Sequence, residues 1–171
     1  MTAGVEASIS LNFRATQVGT TSDLGTPRAP TVLDILTSFA AGTDSDAKAN
    51  LLASGSVVLT TGQSTSLDIY GSLTTGLGGS VIPAEITAIL LRARSENTTT
   101  ITFFGNASNA FNGPLGGTTP THALKPGAWA VLVDPDGWAV TDSTGDVLKT
   151  VNGSGASATY DYIILGRSTA S

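Results

Sequence analysis

A chain of 171 residues is long enough for one domain with a proper core and too short for two of full size. Its net charge of −5, from 13 acidic and 8 scattered basic residues, offers a phosphate backbone no binding stripe, and the lack of cysteine excludes disulfides and thiolate metal sites. Charged residues at 12% against 40% hydrophobic, with 20 glycines and abundant Ser and Thr, favour short strands joined by tight turns, an all-β class.

The opening segment MTAGVEASIS has neither the basic start nor the apolar run of a signal peptide, and no stretch reaches the ~20 apolar residues of a membrane span. The expectation is a chain made and used in a cytoplasm or released from one, with no membrane partner and no direct nucleic-acid partner.

Taken in chain order, Ala7, Ile9, Leu11 and Phe13 alternate with Ser8, Ser10, Asn12 and Arg14, the period of a half-buried strand. Turn residues dominate 17–30, QVGTTSDLGTPRAP, which reads as an extended connection and makes residues 1–31 a candidate arm. Residues 32–39, VLDILTSF, fit a short helix as well as a strand, and the all-β setting selects the strand. Strands are expected at 56–60 and 64–70, followed by a turn around Gly76, Gly78 and Gly79. ITAILLRAR (86–94) and TTITFFGN (99–106) are spaced as a hairpin. AWAVLV (128–133), WAVTD (138–142), DVLKTVN and ATYDYIILG complete a series of eight or nine short strands, the pattern of an antiparallel β-sandwich of the jelly-roll kind over residues 32–171.

Several of these strands are apolar on both faces. Trp129, Val131 and Val133 alternate with Ala128, Ala130 and Leu132, and Ile86, Ala88 and Leu90 with Ile89 and Leu91. One face serves the sandwich core, and the second wants cover from a loop or a neighbouring subunit. A homo-oligomer follows as an expectation, with Trp129, Val131, Val133 and Trp138 as the candidate subunit interface.

The residues that suggest chemistry have simpler explanations. In VDPDGWAV, Asp134, Pro135, Asp136 and Gly137 match type I turn positions one by one, and Trp138 stands where a calcium loop needs another oxygen ligand. Asp142 and Asp146 flank loop chemistry around Gly145, and Asp44 and Asp46 lie in the similar loop GTDSDAKA. His122, the single histidine, sits in a Pro/Thr loop with no nucleophile elbow around any serine, and GLGGS lacks the lysine of a phosphate loop. Asn97, Asn106 and Asn152 begin N-x-Ser/Thr triplets of the kind a Ser/Thr-rich chain produces by chance. Trp129, Trp138, Tyr70, Tyr160 and Tyr162 are the residues that a sugar-stacking face would use, although their place inside alternating strands favours packing. No catalytic residue, metal site or cofactor is expected.

The ordered series SLDIYGSLTTGLGGSV, ITAILLRARSENTTTITFFGNASNAF, KPGAWAVLVDPDGWAV and ATYDYIILG resembles the jelly-roll decoration, or cement, proteins on the outside of tailed-bacteriophage capsids, over about residues 32–168. The resemblance lies in the order and texture of strands and turns, not in a diagnostic motif. It implies a homotrimer on the capsid exterior, bound to the major capsid protein, with no catalytic residues. It also implies a terminal arm over neighbouring capsomers, here carrying Ile9, Leu11, Phe13 and Arg14, although the same strand could instead complete the sandwich. A receptor- or glycan-binding module of a phage fibre is the alternative function.

Overall fold

A computed structural model describes residues 4–21, 25–43, 47–105, 107–153 and 155–170, and all secondary structure among them is β. In chain order the strands are β1 (Ala7–Val18), β2 (Arg28–Ala41), β3 (Lys48–Ala49), β4 (Leu51–Leu59), β5 (Ser64–Asp68), β6 (Leu73–Thr74), β7 (Ser80–Val81), β8 (Glu85–Ala93), β9 (Ile101–Phe104), β10 (Thr121–Leu124), β11 (Trp129–Ala139), β12 (Val147–Asn152) and β13 (Ala158–Arg167). The protein is an all-β sandwich with a long antiparallel ribbon standing on one of its outer faces.

One sheet of the sandwich has the order β11-β8-β13-β4 and the other β10-β9-β12-β5. Alternation decides what lies between them. Ile89, Leu91 and Ala93 from β8, and Ala158, Tyr160 and Ile164 from β13, meet Ile101 and Phe103 from β9 and Leu148 from β12, all buried in one cluster. The Phe103 ring meets Tyr160 edge-on with centroids 5.1 Å apart, and Thr150 donates a 3.3 Å hydrogen bond to the Tyr160 hydroxyl, so the sheets are joined by a polar contact as well as by packing. Two buried asparagines tie the sandwich ends. Asn97 makes paired bonds with the Thr159 main chain, and Asn152 donates to the carbonyls of Thr60 and Ala156.

The segment 86–94 does not form a hairpin with 99–106. β8 pairs with β11 and β13, whereas β9 belongs to the opposite sheet, so residues 94–100 carry the chain across the sandwich. Alternation and loop length are the same for a hairpin and for such a crossing, and only the partner of each strand distinguishes them. The turn at residues 75–79 forms as expected, with Gly78 at φ 85° and the Thr75 amide donating to the Gly79 carbonyl.

β1 and β2 pair without a break from Ala7↔Phe39 to Val18↔Arg28. The ladder therefore takes in both ends of 17–30, and the ribbon includes residues 32–41, past the expected arm boundary at residue 31. Its length from Ile9 to Val18 is about 30 Å at strand rise. One face carries the pairs Ile9–Thr37, Leu11–Ile35 and Phe13–Leu33; the other, more polar, carries Ser8–Ser38, Ser10–Leu36, Asn12–Asp34 and Arg14–Val32. On that second face Asn12 hydrogen-bonds Asp34, and Arg14 donates to Asn12 at 2.9 Å.

Candidate functional site

The ribbon is rooted on the outer face of the β11-β8-β13-β4 sheet. Phe39, Ala49, Ala88 and Leu165 form a second, smaller buried cluster, with Val5, Ala7, Ile9 and Val133 packed against it. Part of the sheet's second apolar face is thus covered by the chain's own N-terminal segment. Cross-strand pairing sets up the rest in rows: Val133, Ala88, Leu165 and Leu52 lie under the root, then Val131, Leu90 and Ile163, then Trp129, Arg92 and Asp161.

Beyond the root, ribbon and sheet separate, and an apolar trough of about 300 Å3 opens between them. Ile9, Leu11 and Ile35 wall one side, and Trp129, Val131 and Val133 the other. A smaller groove of about 260 Å3 continues past Ala7 and Ile9 towards Leu52, Leu90 and Ile163. Trp129 is 57% exposed, and Phe13, farther along the ribbon, is 53% exposed. An isolated two-stranded ribbon is marginal in water, and this one keeps large apolar side chains in solvent on the face that carries on from its packed root. That combination makes the ribbon and trough the candidate interaction surface.

The structure brings three of the four expected interface residues, Trp129, Val131 and Val133, to this trough. Trp138 lies elsewhere. It is half-buried against the main core, with its Cβ so close to Gly113 that a Cβ added there would stand 2.8 Å away. Of the expected arm residues, Ile9 and Leu11 line the trough, Phe13 continues the same face, and Arg14 projects from the opposite one. Sequence alternation identifies β1 but not Leu33 and Ile35 as part of its face, because 32–39 reads as a strand of the body; their pairing with Phe13 and Leu11 is what makes the face continuous.

The DPDG segment does not reverse the chain. Val133 pairs with Ala88 and Trp138 with Ile86 on the same strand, so residues 134–137 bulge out of β11 opposite Thr87. The expected two strands joined by a bend are one strand with an excursion. Local turn chemistry still operates, since Asp134 accepts the Asp136 amide at 3.1 Å and Gly137 takes φ 85°. What holds the bulge is long-range. Arg167, fully buried, donates to Glu85 at 2.6 Å, to the Pro135 carbonyl at 3.1 Å and to the Asp136 carbonyl. The Pro135 carbonyl also accepts the Ala47 amide at 3.2 Å, and the Ala47 carbonyl accepts from Ala40 in β2 at 2.9 Å. The bulge is therefore part of the ribbon's mounting.

The other candidates are committed to local structure. Ser143 donates its amide to Asp146 at 2.8 Å and its hydroxyl to Asp142 at 3.0 Å, closing that turn. Asp44, Asp46 and Asn106 lie outside the described residues. Among the described residues no group of three His, Cys, Asp or Glu side chains is placed to hold a metal ion. His122 lies in β10 opposite Phe103. Tyr160 is buried, and Tyr70, Trp138 and Tyr162 are partly buried, which leaves Trp129 as the exposed member of the five aromatics. Burial raises the pKa of both Tyr160 and Tyr162.

The geometry defines an all-β sandwich bearing an amphipathic ribbon and an open apolar trough. No protein-family profile matches the chain, and no curated protein matches it. Among solved structures, a chain described as "Bacillus endospore appendages form a novel family of disulfide-linked pili" is 13% identical, the match covering 70% of this chain and 88% of that one at a TM-score of 0.38. That likeness is too distant to extend that protein's assembly to this one.

Proposed function

We propose that the protein is a structural virion component that decorates and stabilises the outer surface of a bacteriophage capsid, binding as a homotrimer across capsomers of the major capsid protein. The observation that carries this reading is the ribbon: an extended element with one apolar face, packed at its root and open to solvent along its outer length. Such an element suits assembly on a protein surface, where its apolar face can join neighbouring copies and its strand edge can add main-chain hydrogen bonds.

Strand order supports the jelly-roll form of the reading. Counting the eight long body strands in chain order, the sheets run first-eighth-third-sixth and fifth-fourth-seventh-second, the winding of two Greek keys. The role is one of assembly, without catalysis or cofactor. A trimer engaging three equivalent patches converts weak single contacts into stable occupancy through effective concentration.

The test is to locate the chain in reconstructed particles and to compare complete with stripped ones. Copies in threes on the capsid exterior, with stripped particles losing DNA at lower temperature or on salt dilution, are the expected result. Equal survival of the two kinds of particle overturns the stabilising role, and location on a fibre at a few dozen copies or fewer transfers the protein to receptor or glycan binding.

A further inference from the structure

The chain carries two matching apolar features that do not meet. One is the trough, with Leu11 and Ile35 facing Trp129 and Val131. The other is the ribbon's outer face, where Phe13 and its cross-strand partner Leu33 stand half exposed. Phe13 lies one same-face step beyond Leu11, about 7 Å along the strand. The β1–β2 ladder has no bulge at which the ribbon could bend back. A chain cannot fill its own trough with its own outer ribbon, but a neighbour's ribbon can fill it.

We propose that the trough receives the outer ribbon of a second copy, with Phe13 and Leu33 of one chain seated against Trp129 and Val131 of the next. This rests on the reading of the protein as a homo-oligomer and names the surfaces that make it one. None of these side chains is charged, which removes direct repulsion from the contact between chains of net charge −5.

Area bears on the choice of occupant. Leu11, Phe13, Leu33, Ile35 and Trp129 are 43–57% exposed, which leaves on the order of 100 Å2 on each, given the size of large apolar side chains. An apolar patch of roughly 500 Å2, at the usual apolar share of an interface, corresponds to about 900 Å2 in total, below the ~1,200 Å2 at which specific contacts begin. One such contact is weak. A head-to-tail arrangement, in which every copy gives a ribbon and receives one, repeats it around a closed ring, and giving and receiving surfaces that differ are what head-to-tail closure requires.

The full chain has no cysteine, so single cysteines report contacts without background. Purified Phe13→Cys and Trp129→Cys chains, mixed under mild oxidation, are expected to give mainly the mixed disulfide. The parent chain is expected to exceed monomer mass in light scattering as its concentration is raised, and Phe13→Ser to return it to monomer. Both positions are exposed, so the variants are expected to keep the parent circular dichroism. A monomeric parent without cross-links overturns the proposal. So does a predominance of Phe13→Cys self-links, which means ribbons lying face to face, or cross-linking of the ribbon only to added capsid protein. A mixed disulfide in a chain that does not bind particles keeps this inference while refuting the capsid reading; particle binding by a trimer that gives no mixed disulfide does the reverse.

Discussion

Arg167 and Glu85 are cross-strand partners 2.6 Å apart, beneath both the DPDG bulge and the root of the ribbon. The guanidinium is wholly buried and spends its remaining donors on the Pro135 and Asp136 carbonyls. Removing one partner of such a pair leaves a buried charge uncompensated, a loss of about 3–5 kcal/mol. Arg167→Met is expected to lose stability of that order in urea titration. Glu85→Leu combined with Arg167→Met is expected to regain much of it, since burial of the pair is itself costly. In the double variant the Ala47 amide is still expected to exchange faster than in the parent, because the bulge that accepts its hydrogen bond has lost its anchor.

Gly137 is the tight point of the same assembly. At φ 85° a side chain is strained, and a Cβ there would stand 3.0 Å from the Glu85 Cβ and 3.2 Å from an Arg167 guanidinium nitrogen. Gly137→Ala is expected to cost about 1–3 kcal/mol through backbone strain. Chemical denaturation checks the size, and cross-linking yield from the ribbon checks whether a displaced mount also weakens assembly.

Across the sandwich, the Tyr160 hydroxyl is the partner of the buried Thr150 hydroxyl. Tyr160→Phe keeps the edge-on packing with Phe103 and removes that partner. The expected loss is about 1 kcal/mol, the size of one buried hydrogen bond. Phe103→Ala, which empties the centre of the core, is expected to cost about 3–5 kcal/mol. Both are measured by urea titration of the purified chain.

The two ends of the pH scale involve different groups. Arg94 donates to both oxygens of Asp161, at 3.1 Å from Nε and 2.7 Å from Nη2, and these hydrogen bonds lower the Asp161 pKa. The associated stability is complete above the usual carboxylate range and is lost as pH falls through the lowered folded value. Asp161→Asn is therefore expected to flatten the acid limb of a stability profile. Tyr160 behaves oppositely, because burial raises its pKa. Its contribution is complete below the ordinary tyrosine value of 10.0 and is lost as pH rises towards the folded one. Tyr160→Phe is expected to flatten the alkaline limb.

Alternation marks most of the long strands, but it leaves 32–39 equally fit for a helix and gives no sign of β10. It separated Trp129, Val131 and Val133 from Ala130 and Leu132, and the structure places these on opposite faces of β11. Pairing was less legible. The residues SENT are compatible with a hairpin or with a crossing between sheets, because local composition sets the turn and not the partner. DPDG shows the same limit, since the Asp134 contact to the Asp136 amide and the left-handed Gly137 are local features that do not fix where the chain goes next. Whether such a segment reverses a chain or bulges from a strand depends on Thr87 opposite and on Arg167 about thirty residues later. The trough was half visible for a related reason. Its β11 wall was recognised as a surplus apolar face, whereas Leu33 and Ile35 became its second wall only through pairing with Phe13 and Leu11.

The position of β13 has a consequence for how the protein is made. It lies between β8 and β4, hydrogen-bonded to both, and carries Tyr160, Ile164 and Arg167 into place. Until residues 158–167 have left the ribosome, that sheet exists only as two unconnected pieces, and the ribbon's mount lacks its cation. Synthesis is thus coupled to an all-or-none closure: an interrupted polypeptide has no finished sheet on which to present its ribbon.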